Sequence, residues 1–219
     1  MDRLIELLPN LLEETGATLY LVAFSLLFGG AGGLILGLAL YVTRRGGIYA
    51  NSAVFTILNV IVNFFRPIPF IIFIPAIQPL VRLVIGKGIG NDAMIMAISL
   101  AAIFGVSRIV EQNLVTVSPG VIEASRAAGA SRLRTIWSVV LPEALGPLIL
   151  GYTFVFVAIV EMSALAGYLG GGGLGTFAIQ WGYRQFEPVV TWAAVIVIVI
   201  IVQIVQFVGN WLARKVLRR

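Results

Sequence analysis

Two ionisable residues lie inside long apolar stretches of the sequence, where a charge has an unfavourable free energy. Arg66 stands in VNFFRPIPFII and Glu161 in VAIVEMSALAG. A charge at membrane depth costs at least about 2 kcal/mol, so each side chain needs a partner or water. We expect both to face the interior and to take part in a gate or polar path, where the two charges could offset each other. The candidate pathway residues are Arg66, Pro67, Pro69, Glu161, Met162 and Ser163.

Two structural alternatives to a gate stay open. Arg66 and Glu161 could form a purely structural ion pair. Arg66 could instead hydrogen-bond carbonyls that lose their donors at Pro67 and Pro69, because proline has no backbone N–H.

Other catalytic chemistry is scarce in this chain. There is no cysteine and no histidine, which excludes disulfides, thiolate chemistry and the usual zinc and triad arrangements. The aspartates are Asp2 and Asp92, which do not pair in any apolar stretch, so an intramembrane enzyme is disfavoured. Lys87 and Lys215 are the lysines, and neither belongs to a Walker phosphate loop.

The composition requires a lipid solvent. The 219 residues are 59% hydrophobic and 11% charged, with a mean hydropathy of +1.02, whereas soluble domains have about 25% charged residues. The net charge of +5 does not indicate nucleic-acid binding, because the charges are spread between apolar stretches and form no basic face.

Five apolar stretches are long enough to cross a bilayer, since one crossing takes roughly 20 residues. The sequence therefore predicts an all-α integral membrane protein with one transmembrane domain over residues 1–219. The predicted spans are about 16–42, 52–80, 92–115, 142–166 and 188–213. Prolines between 67 and 79 interrupt the second span, which predicts a kinked helix that faces protein or a watery cavity. That helix is either structural or pathway-lining.

Basic residues fall unequally on the two faces that five spans define. Since cytoplasmic loops carry the excess of Lys and Arg, we predict a cytoplasmic C-terminus and an external N-terminus. The acidic N-terminal segment does not resemble a cleaved signal, so we expect it in the mature chain. The predicted cytoplasmic residues are Arg44, Arg45, Arg126, Arg132, Arg134, Arg214, Lys215, Arg218 and Arg219, and the external ones are Arg3, Arg82, Lys87 and Arg184.

Small residues recur every four positions on two spans, which predicts close helix packing in lipid. One stripe is Gly29, Gly33 and Gly37, and the other is Ala93, Ala97, Ala101 and Gly105.

The cytoplasmic loop at 116–141 is too polar to cross the membrane and too apolar to be a loose tail. It predicts two short helices, with Ser118 as the cap of the first, Pro119 at its first position and Gly129 as its left-handed end. Its small side chains would let the first helix enter a groove on another protein. The arginines that could reach acidic partners or lipid phosphates are Arg126, Arg132 and Arg134.

The same loop carries the residues of the EAA signature at their spacing: Glu123, Ala124, Gly129, Val139, Leu141 and Pro142. Ser125 replaces the second alanine. With the stretches NFFRPIPFII and GYLGGGGLGTFAIQWGY, the chain resembles the permease subunits of bacterial ABC importers, and among them the methionine importer permease.

This resemblance implies a type I importer permease fold in the bacterial inner membrane, with no catalytic, cofactor or metal site in the chain. It also implies a homodimer, two cytoplasmic ATPases that carry ATP and Mg²⁺, and an external binding protein that delivers methionine, as the D or L form, or a related amino acid. It assigns ATPase coupling to Glu123, Ala124, Ser125, Arg126, Ala127, Ala128 and Gly129.

An outer loop holds the glycine run 170–173. It follows no strand, so we reject a nucleotide site; it is either a loop near the binding protein or a plain turn. A rival for the whole chain is an ATP-independent channel or secondary transporter that uses Arg66 and Glu161 for ion coupling. The sequence contains no internal inverted repeat to support that rival.

Overall fold

The computed structural model describes residues 2–217, so Arg218 and Arg219 of the predicted cytoplasmic cluster lie outside the described residues. Within 2–217 all regular structure is helical. The helices are α1 (Asp2–Glu6), α2 (Leu8–Thr43), α3 (Ser52–Phe65), α4 (Phe70–Ile85), α5 (Asn91–Val115), α6 (Pro119–Ala127), α7 (Arg132–Thr135), α8 (Leu141–Glu143), α9 (Leu145–Tyr168), α10 (Leu174–Phe177) and α11 (Pro188–Leu217). A π-helical turn, Ile136–Val140, joins α7 to α8, and another, Ala178–Gly182, follows α10.

Among the described residues, α2, α5, α9 and α11 are each long and apolar enough to cross a membrane alone. They correspond to the first, third, fourth and fifth predicted spans. The second predicted span is instead the pair α3 and α4, which bend by 112° at a short break. The expectation of one kinked helix is corrected: two helices meet at an angle.

Proline explains the break. Pro67 and Pro69 cannot donate the backbone hydrogen bonds that would continue the helix. Arg66 keeps helical geometry as the C-cap of α3, and Pro69, extended at ψ 132°, precedes α4. Pro75 and Pro79 lie within α4 without ending it.

The glycine stripe on α2 is the contact surface for α5, as the four-residue spacing predicts. A Cβ added at Gly29 would lie 2.8 Å from Cβ of Ala102, and one at Gly37 would lie 2.5 Å from the carbonyl oxygen of Ser107. The two backbones therefore approach as closely as they do only because these positions lack side chains.

The second stripe is only partly correct. Ala93 and Ala97 are buried, but Ala101 is half-buried, and a Cβ on Gly105 would meet no described atom within 4 Å. Two of the α5 residues that contact the glycines of α2 each lie one position further along the sequence than a residue of the predicted stripe.

Helices α9 and α11 complete the bundle. The main buried cluster combines residues of α2, α5 and α9, and the Tyr152 hydroxyl donates to the carbonyl of Gly30 at 2.8 Å. Gly209 of α11 packs directly on Thr153 of α9.

Candidate functional site

Helix α6 stands apart from the bundle. In the part of the chain that the structure describes, none of its nine residues is buried. Ile122 alone of them packs against the main core, which fixes the helix while leaving Glu123 and Ala127 exposed. Such a helix offers almost its whole circumference to another protein.

The end of α6 is set by Gly129, which has the left-handed φ of +84° that the sequence predicts. The start differs from the expectation: Ser118 precedes α6, but within residues 2–217 its side chain makes no cap hydrogen bond. The side-chain cap belongs to Ser131 at the start of α7, whose Oγ accepts from Arg134 N at 3.3 Å.

Helix α6 is connected to the bundle through α7. The hydroxyl oxygens of Ser125 and Thr135 lie 3.5 Å apart, and Thr135 is fully buried. From α7 the chain continues through the π-helical turn and α8 into α9. Pro142 lies within α8 and does not open the span, which begins at Leu145.

Arg66 and Glu161 do not form an ion pair with each other within the described residues 2–217. Among residues 2–217, no salt bridge involves either side chain, and both residues are exposed on the surface of the single chain. The structural ion pair that the sequence left open is therefore not formed within one subunit.

The other candidate pathway residues divide between surface and interior. Pro67 and Pro69 are exposed at the break, and Met162 is half-buried against the core. Ser163 is buried, and its hydroxyl donates to the carbonyl of Val160 at 2.7 Å. This hydrogen bond stays within α9.

A polar cluster that the sequence analysis did not single out joins α3 to α5. Arg108 is ion-paired with Glu111 on the same helix and donates to Oδ1 of Asn59 and of Asn63, both at 2.7 Å. The two charged side chains are only 15% and 11% exposed. Beside them, the rings of Phe65 and Phe104 stack at 4.7 Å.

Spacing could have revealed this cluster. Arg108 and Glu111 are three residues apart on an apolar helix, and Asn59 and Asn63 are four apart on another, so each pair shares a helix face. Polar side chains on a membrane helix seek partners on a neighbouring helix.

The outer glycine loop is held by side chains from two helices. The amides of Gly172, Gly173 and Leu174 donate to Asn91 Oδ1, Glu14 Oε2 and Thr18 Oγ1. Glu14 and Thr18 are four apart on α2. The loop is therefore an ordered cap over the bundle end rather than a loose turn.

The described residues contain no cluster of three or more acidic, histidine or cysteine side chains that could hold a metal ion. The described residues thus form a bundle of apolar helices, an exposed bent pair and one short exposed helix, α6, outside the bundle.

Known proteins resemble this chain in sequence and in structure. The family of binding-protein-dependent transport system inner membrane components matches residues 29–219. The probable D-methionine transport system permease protein MetI of Vibrio cholerae is 37% identical over 206 residues, which cover 94% of this chain and 92% of the relative. The methionine import system permease protein MetP of Bacillus subtilis is 36% identical over 180 residues, covering 82% and 81%.

The structure superimposes on a chain of the MetNI methionine ABC transporter, solved in inward-facing conformations, with a TM-score of 0.93 and 37% identity. The match covers 96% of this chain and 98% of that one. The family match and the individual relatives both cover most of this chain, and they indicate the same kind of protein. The chain belongs to the family of binding-protein-dependent transport system inner membrane components.

Proposed function

We propose that this chain is the membrane-spanning subunit of an ATP-driven importer of methionine, in its D or L form, or of a closely related amino acid. The observation that carries the proposal is α6, a helix anchored by Ile122 but otherwise exposed outside the bundle. The names of the relatives, which match along most of this chain, support methionine as the substrate class.

The proposed assembly is a homodimer with two cytoplasmic ATPases and an extracytoplasmic binding protein. Each α6 docks on one ATPase through Glu123, Ala124, Ser125, Arg126, Ala127, Ala128 and Gly129. ATP and Mg²⁺ bind to the ATPases, and this chain supplies the pathway and hydrolyses nothing. A displacement of α6 passes through the Ser125–Thr135 contact into α7 and on to α9, so that ATP favours one of two conformations.

The proposed orientation has the N-terminus outside and the C-terminus in the cytoplasm. The guanidinium carbon of Arg132 lies 5.5 Å from the centre of the Tyr49 ring. This contact brings the α6–α7 segment to the same end of the bundle as the turn that carries Arg44 and Arg45. Basic loops therefore collect at one face, in agreement with the positive-inside rule.

The proposed pathway runs along the surface where α4 and α9 meet. Arg66 and Glu161 are both exposed in one subunit, although charges at membrane depth need water or a partner. A second copy would enclose them in a polar channel with Pro67, Pro69 and Met162, while Ser163 stabilises the wall.

The test is methionine uptake into proteoliposomes that contain the chain, its ATPase and its binding protein. Replacing Glu123 by Arg, or Ala127 by Trp, should reduce ATP-driven uptake at least about tenfold, because each change removes the fit of an exposed docking face. Glu13→Arg, a charge reversal on an exposed α2 residue at the opposite end, is the matched control. Uptake by the chain without any ATPase would refute the proposal.

A further inference from the structure

An apolar groove of about 380 Å³ separates the C-terminal half of α2 from the segment running from α7 to α8. It is open to the outside of the bundle: Leu133 is 59% exposed and Trp137 63%. The main wall residues are Leu34, Leu38, Tyr49, Leu133, Ile136 and Trp137. A groove with apolar walls binds apolar groups in preference to water, because water there makes few hydrogen bonds.

Arg132 lies against a wall residue of the groove, and Arg44 is the C-cap of α2, of which residues up to Val42 line the groove. Arg132 lies over the ring of Tyr49, a wall residue, and Arg44 lies over the ring of Tyr41 at 4.7 Å. Each contact fixes a guanidinium by a cation–π interaction. Arg45 and Arg134 are exposed nearby in sequence.

Tyr49, whose ring contacts Arg132, is positioned by backbone hydrogen bonds. Tyr49 N donates to the carbonyl of Val42 at 2.9 Å, and Asn51 N donates to that of Thr43 at 2.9 Å. These bonds fold the α2–α3 turn back on the end of α2. The position of the charge beside the groove is therefore built into the turn.

The salt bridges of the described residues involve Arg3, Lys87 and Arg108. The guanidinium groups of Arg44 and Arg132 thus have no carboxylate partner among residues 2–217. Their charge complements an anion, and the groove beside them complements a hydrocarbon chain.

We propose that this groove is a binding site for an anionic phospholipid, with an acyl chain against Leu38 and Trp137 and the phosphate beside Arg132 and Arg44. Arginine meets a phosphate through parallel N–H donors, and a basic site next to a membrane helix recognises an anionic headgroup. An acidic protein segment would match the charge but not the exposed apolar wall.

The experiment uses the full chain in phosphatidylcholine vesicles with brominated phosphatidylglycerol or brominated phosphatidylcholine, which quench nearby tryptophans. The signal of Trp137 is obtained by subtracting the Trp137→Phe variant. We expect the anionic lipid to be preferred at Trp137 by about fivefold or more, since a basic residue near the surface contributes roughly that factor.

Arg132→Gln should lower this preference about fivefold, and Arg132→Lys should keep most of it. Arg184→Gln, an exposed arginine at the other end of the bundle, is the control and should change nothing. Monodisperse elution and an unchanged helical spectrum show that the variants fold.

Three results would overturn the proposal. The first is equal quenching of Trp137 by the two lipids. The second is loss of the preference on adding inorganic phosphate, which would identify a free-anion site. The third is an Arg132→Gln variant that keeps its lipid preference but binds the ATPase more weakly, which would identify a protein contact.

Discussion

Arg108 on α5 donates a hydrogen bond of 2.7 Å to Oδ1 of Asn63, on the helical turn that precedes Arg66 and the break between α3 and α4. The same guanidinium bonds Asn59 one turn earlier and is ion-paired with Glu111. Since α3 is otherwise mostly exposed, this single side chain is its main polar attachment to the bundle.

Replacing Arg108 by Met should destabilise the protein by about 3 kcal/mol or more, because the Glu111 carboxyl group would lose its ion-pair partner in a nearly buried place. Thermal unfolding in detergent, followed by size-exclusion fluorescence, measures the loss. The double variant Arg108→Met, Glu111→Gln should recover part of it, since no unpaired charge remains. Arg184→Gln is the control. A double variant less stable than the single one would contradict the role of the buried charge.

Gly37→Ala should destabilise the α2–α5 contact by about 1–3 kcal/mol, because the new Cβ would lie 2.5 Å from the carbonyl oxygen of Ser107. Gly105→Ala is the matched control on α5, where a Cβ meets no described atom within 4 Å. It should be neutral or stabilise by up to about 1 kcal/mol through helix propensity. Equal melting temperatures for the two variants would argue against close backbone packing at Gly37.

Thr18→Val should loosen the outer glycine loop, because the buried amide of Leu174 would lose its acceptor at 2.7 Å. An unsatisfied buried donor costs about 1–3 kcal/mol. Hydrogen exchange of the segment 172–175 should become faster than in the unaltered chain. Thr15→Val, which removes a hydroxyl bonded only to the carbonyl of Leu11 in its own helix, should leave that exchange unchanged.

Gly129→Ala should weaken ATP-driven uptake severalfold while leaving the bundle folded. Residue 129 has φ +84°, which costs an L-amino acid about 1–2 kcal/mol, so the angle between α6 and α7 should change. Gly120→Ala, near the start of α6, places its Cβ 3.8 Å from Ser118 Oγ and is the control. Full uptake by the Gly129 variant would show that this angle does not matter for coupling.

Features determined within one helix or one turn could be predicted from the sequence. The apolar lengths of α2, α5, α9 and α11 located their spans, and the position of Gly129 after a short helix indicated its left-handed backbone. The four-residue spacing of Gly29, Gly33 and Gly37 was enough to identify a packing face, because a glycine stripe on a membrane helix has few other uses.

Features that depend on the angle between helices could not be predicted. Arg66 and Glu161 seemed a natural pair because both are charged and apolar residues surround them. No salt bridge joins them in the described residues, and the angle of 112° between α3 and α4 is not set by the pattern of charges in the sequence. For the cluster of Arg108, the spacing marks a polar face on α3 and another on α5, but whether these two faces meet depends on how the helices pack.

The contact between α2 and α5 also constrains how the chain is made. During synthesis α2 enters the bilayer first, and its glycine face must wait in lipid until α3 and α4 have emerged and α5 arrives. The close contact along Gly29, Gly33 and Gly37 therefore forms only after the bent pair α3 and α4 has been made. The packing of α2 is completed later still, because Tyr152 of α9 bonds to the carbonyl of Gly30 and the amides of Gly173 and Leu174 bond to Glu14 and Thr18.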